Sequence, residues 1–129
     1  MKKIKNIRGQ SVAELALVLP IFLIILMGIV EFGLLMSDYV IVVNAAREGT
    51  RVAALGGTED DVIAKVEEVT STLQDSNISI TITPNEYERE RGEAITVEVA
   101  YVSEPIMPLI KNISPELYNI KSKMTMRIE

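Results

Sequence analysis

The chain has 129 residues, 48% of them hydrophobic, and a net charge of −5. It contains no Cys, His or Trp, which excludes disulfides, zinc ligation by Cys or His, and any chemistry that needs an imidazole or a thiolate. Residues 1–9 carry Lys2, Lys3, Lys5 and Arg8 and no acid, so the rest of the chain is strongly acidic, which argues against nucleic acid as a partner.

A basic head followed by an apolar run is the signal that keeps the head in the cytoplasm. The run from Leu15 to Val30 has no charge. Its helical length of ~24 Å falls short of the ~30 Å hydrocarbon core, whereas continuing to Met36 gives ~33 Å. The expected organisation is a basic cytoplasmic leader over 1–9, a transmembrane helix over 10–36 and an extracytoplasmic α+β domain over 37–129. A secretory signal peptide is the competing reading, but no small-x-small cleavage site follows the run and a helical pattern continues beyond it. Pro20 removes one helix hydrogen bond within the span. Two carboxylates are out of place. Glu14 is either an ordinary charge at the inner membrane edge or a group with a specific partner. Glu31 is either an interfacial charge at the outer surface or a pairing site for another helix.

Helical periodicity runs from Ser37 to Leu55, with Val42, Ala45, Ala46, Gly49, Val52 and Ala53 on one face. Ala45, Gly49 and Ala53 form a ridge of small residues four apart, suited to close helix packing. Either the protein's own sheet or a neighbouring subunit would cover it. Gly56-Gly57 stops the helix. Thr58 is expected to cap a second, amphipathic helix of about four turns, with Glu59, Asp60 and Asp61 in its first turn and Val62, Val66, Val69 and Leu73 on its apolar side.

Asp75-Ser76-Asn77 reads as a turn. Ile78, Ile80 and Ile82 then alternate with polar residues up to Pro84, and Ile95, Val97, Val99 and Tyr101 do the same. These are two half-buried strands joined as a hairpin by a charged loop. Pro105 to Ile110 is an apolar connection, either a lid over the core or a contact for the membrane or a partner. Tyr118, Ile120, Met124, Met126 and Ile128 mark a third strand. The fold class is therefore α+β: a long, partly transmembrane helix, a second helix, and a three-stranded antiparallel sheet covered by the helices.

No motif supports catalysis. There is no glycine-rich phosphate loop, and the carboxylates sit on periodic solvent faces. The Glu59-Asp60-Asp61 run lacks the spacing of a calcium loop. The sequence points to no enzyme activity, no cofactor, no metal and no small-molecule substrate.

Arg8-Gly9-Gln10-Ser11-Val12-Ala13-Glu14-Leu15-Ala-Leu-Val-Leu-Pro20, then Gly28-Ile-Val-Glu31-Phe32-Gly33, resembles TadE-like proteins, minor pseudopilins of the tight-adherence (Flp, type IV-like) pilus system. Ala45-Ala46-Arg47-Glu48-Gly49-Thr50-Arg51-Val52-Ala53-Ala54 is similar to that family's segment after the membrane. The residue after Glu14 is Leu15, where tight-adherence pilin motifs usually have an aromatic. The resemblance implies cutting by a membrane prepilin peptidase between Gly9 and Gln10, with assembly roles for Glu14 and Glu31. It also implies other pilins or pseudopilins and the assembly machinery as partners, and a structural role in the cytoplasmic membrane or the pilus. After such a cut, Glu14 is the fifth residue, placed to pair with a neighbouring subunit's free amine. The rival readings are an uncleaved signal-anchored protein with an extracytoplasmic binding domain, a major pilus subunit, and a membrane-bound enzyme.

Overall fold

A computed structural model describes residues 7–129, with side chains from Gly9 onward. Lys2, Lys3, Lys5 and the side chain of Arg8 therefore lie outside the described residues. One helix, α1, runs without interruption from Ile7 to Ala54, through Pro20. At ~1.5 Å per residue it is ~70 Å long. Its first half is apolar and exposed on all sides, and the helix is long and apolar enough to cross a membrane. Its second half is amphipathic and forms one wall of the core. A single helix thus does two jobs because the hydrophobic pattern changes along it, from all-round to one-sided.

The helix ends where the chain reverses. Gly56 has φ +86°, a left-handed conformation that favours glycine. Its N–H donates to Ala53 O, and Gly57 N–H donates to Val52 O at 3.0 Å, the Schellman pattern. A side chain at Gly57 would meet Val52 at 2.6 Å, so the second glycine answers a close approach. Thr58 then caps α2, Glu59–Val69, through a reciprocal capping box with Asp61.

The second helix is three turns long, one turn shorter than its apolar pattern implies. Thr70 ends it: its hydroxyl donates to Val66 O at 2.8 Å, and the chain turns so that Leu73 N–H bonds Thr70 O. The run Thr70-Ser71-Thr72 supplies hydroxyls that compete for backbone partners, which outweighs the periodicity.

Strands β1 (Ile78–Thr83), β2 (Ala94–Val102) and β3 (Asn119–Arg127) form an antiparallel meander in the order β1-β2-β3. The registers Ile80↔Val99 and Val97↔Met124 put the apolar residues of all three strands on one face. On that face α1 and α2 bury Val42, Ala45, Val62, Val66, Ile95 and Val97. The other face is polar, with Glu98 opposite Lys123 and a 2.8 Å hydrogen bond between the Thr96 and Thr125 hydroxyls. The protein is mixed α+β, as its sequence pattern indicates.

Two details depart from the pattern. Pro108–Ile113 forms a short helix, α3, started by a proline in its first turn. Tyr118 closes a 3₁₀ turn, Pro115–Tyr118, and precedes β3. Its side chain turns towards α1, and alternation alone assigns it to the strand.

Candidate functional site

The carboxyl-bearing helix α1 and its junction with the folded domain hold the residues singled out from the sequence. Gly9 and Gln10 lie in its exposed first turns. Glu14 is exposed one turn further on, and the Gln10 side-chain amide donates to its Oε1 at 3.2 Å. Around it Val12, Leu15 and Val18 are more than half exposed, so the carboxyl sits in an apolar surface that the described residues do not cover.

Glu31 is different. It is only 4% exposed, although its neighbours Ile29 and Phe32 are 64% and 65% exposed. Three hydrogen bonds account for it. Tyr118 Oη donates to Oε1 at 2.9 Å, and the Ile106 N–H lies 3.2 and 3.1 Å from the two carboxyl oxygens. Burying a carboxyl costs several kcal/mol unless such donors replace water. Both donors come from the connection between β2 and β3, which folds back onto α1 at this height. About two turns further along α1, the Ser103 hydroxyl donates to Asp38 Oδ2 at 2.6 Å. These contacts hold the domain to the helix at the upper end of its apolar stretch.

Tyr118 is 1% exposed. Burial, then the hydrogen bond to Glu31 and that group's charge, push its phenol above the usual tyrosine range. Burial first, then the charge of Asp38, do the same to Tyr101. Both phenols therefore stay protonated at neutral pH, and Tyr118 remains a donor to Glu31. A cleft of about 240 Å³ opens between Glu31, Asp38, Gln74, Tyr101, Ser103 and Glu104. Among the described residues, no group of three or more His, Cys, Asp or Glu side chains is placed to hold a metal ion.

The small-residue ridge is covered from within the chain. Ala45 and Ala53 have no exposed surface, and Gly49 is buried where α1 crosses α2. A Cβ at Gly49 would stand 2.8 Å from Val66 Cγ2 and 3.5 Å from Val62 and Val97. These three positions let the two helices and β2 approach closely.

Sequence reasoning missed three groups. Tyr118 and Ile106 lie 87 and 75 residues from Glu31, and no local pattern predicts such a pairing. Arg89, within the charged loop, is also largely buried. Its guanidinium donates to Gly57 O at 2.9 Å and approaches Glu59 at 3.8 Å, tying the loop to the start of α2.

A family model described as TadE-like protein matches residues 9–51, which hold the apolar run, Glu14, Glu31 and Gly49. No curated protein and no solved structure matched the chain. The matched segment and its one long apolar helix fit a single-pass membrane anchor in a pilus system, in a family whose role is structural. The likeness to the TadE-like family thus covers residues 9–51, a third of the chain.

Proposed function

We propose that the chain is a minor pseudopilin of a tight-adherence pilus, stored in the membrane by α1 and cut by a prepilin peptidase after Gly9. The observation that carries this reading is Glu14. It is a carboxyl on an exposed apolar helix face, hydrogen-bonded to the Gln10 side-chain amide one turn away, inside the segment that matches the TadE-like family. A carboxyl left in that setting gains most from a cation supplied by another subunit. Cutting after Gly9 would create that cation as the amine of Gln10. It would also remove the basic head, which resists movement across the bilayer.

The parts divide the work in this reading. The apolar half of α1 anchors the subunit and packs against its neighbours on extraction. Glu14 sets the register of that packing. The α+β domain faces outward, with the leader inside, and makes the lateral contacts with other pilins. The partners are protein and membrane. An uncleaved signal anchor carrying a binding domain is the alternative, and retention of Met1 to Gly9 in cells would favour it. Replacing Glu14 by Ala tests the assembly role. Membrane insertion should persist while piliation falls, and normal piliation would remove the role given to Glu14.

A further inference from the structure

We propose that the connection between β2 and β3 is a hydrophobic foot that sits in the outer leaflet of the bilayer α1 crosses, so that the domain rests on the membrane at a second point. The proposal rests on the reading of α1 as a membrane span.

A span that starts at Leu15 needs about 20 residues to cross the hydrocarbon, which brings its outer boundary near Leu34. Glu31 then lies about 5 Å inside that boundary. The Ile106 N–H and the Tyr118 hydroxyl reach the Glu31 carboxyl, so the segment that bears them is at the same depth. This segment cannot remain in water while its backbone touches a residue inside the bilayer.

The side chains of the segment suit that depth. Ile106, Leu109, Ile113 and Leu117 are 57%, 57%, 75% and 59% exposed. They are four large apolar residues in a connection of the kind that is ordinarily polar. Leu109 and Ile113 are four apart in α3 and share a face, while Lys111 lies on the opposite side, where it reaches headgroups. Leu117 lines an almost wholly apolar hollow with Phe32, Leu35, Met36 and Tyr39 of α1, so the foot and the span present one continuous apolar surface. The foot also explains why Glu31 can lie within the apolar stretch: its donors are carried into the membrane with it.

The chain has no native Cys, so single labels can be placed cleanly. The full-length protein is reconstituted in phosphatidylcholine–phosphatidylglycerol vesicles as Leu109→Cys, Ile113→Cys, Thr81→Cys and Leu23→Cys. Each variant carries an environment-sensitive fluorophore. Iodide in the water and a nitroxide lipid in the bilayer are the two quenchers. The expected result is that labels at 109 and 113 shift to the blue and are quenched by the lipid, with iodide quenching several-fold weaker than at 81. The label at 23 reports the span. If 23 is lipid-quenched while 109 and 113 match 81, the foot is wrong and the span stands. If 109 and 113 are shielded from both quenchers, a protein covers them and the lipid assignment is overturned. If 23 is open to iodide, the span fails and takes the foot with it.

Discussion

The Tyr118 hydroxyl donates a 2.9 Å hydrogen bond to Glu31, joining the strand connection to the apolar helix across 87 residues of sequence. Tyr118 is 1% and Glu31 4% exposed, so neither can exchange its partner for water without moving the domain. This clasp fixes the position of the folded domain relative to the apolar half of α1.

The clasp predicts an order of effects. Tyr118→Phe leaves the Ile106 N–H to serve Glu31 and should cost ~1 kcal/mol. Glu31→Leu strands a buried hydroxyl and a backbone N–H together and should cost ~2–4 kcal/mol. Amide hydrogen exchange in the detergent-solubilised chain measures both. Protection at Ile106 should fall modestly in the first variant and collapse in the second, while β2 stays protected. Equal protection in all three proteins would show that the clasp does not hold the connection.

Gly49 should tolerate no larger residue while Val66 faces it. Ala there adds helix propensity of ~1 kcal/mol but forces a 2.8 Å contact apart, at a cost of ~1–3 kcal/mol. Gly49→Val should be clearly worse. The double variant Gly49→Ala, Val66→Ala should be more stable than the two single effects add up to, because the second change removes the clashing methyl. Denaturant titration of the four proteins gives the coupling energy. Additive effects would mean that the helices are not in contact at this point.

The capping box makes a prediction in pH. Hydrogen bonds from the Thr58 backbone N–H and hydroxyl hold Asp61 below the ordinary carboxyl value of 3.8. A group with a depressed folded value adds stability that is present above the unfolded value and lost as pH falls through the folded one. Thr58→Ala should cost ~1 kcal/mol at neutral pH. Asp61→Ala should also destabilise at neutral pH, and its difference from wild type should shrink only below pH 3.8. Melting curves of wild type and Asp61→Ala across that range decide it. A difference that persists unchanged in acid would remove the charge of Asp61 from the account.

How much of this was legible follows from the range of each interaction. Alternation over Ile78, Ile80 and Ile82 and the stop at Pro84 locate β1 at its observed bounds, because a half-buried strand is a local pattern. Gly56-Gly57 and Thr58 mark the turn between helices for the same reason. The end of α2 was harder, since Val69 and Leu73 continue the apolar period while Thr70 turns the backbone. Arg89 reads as one charge in a solvated loop, yet Gly57 O and Glu59 draw it inward from another part of the chain. The partners of Glu31 were invisible because they depend on where a connection folds back. The sequence marks Glu31 as out of place, and the packing supplies the reason.

The central claim is that this chain is processed as a pilin, and the amino terminus of the mature protein tests it most directly. Intact mass and amino-terminal sequencing of protein extracted from native membranes should give a chain that begins at Gln10 with a free amine. That end should disappear when the prepilin peptidase is deleted. A chain that keeps Met1 and the basic residues through Arg8 while the pilus assembles normally would contradict the account and leave a permanently anchored membrane domain.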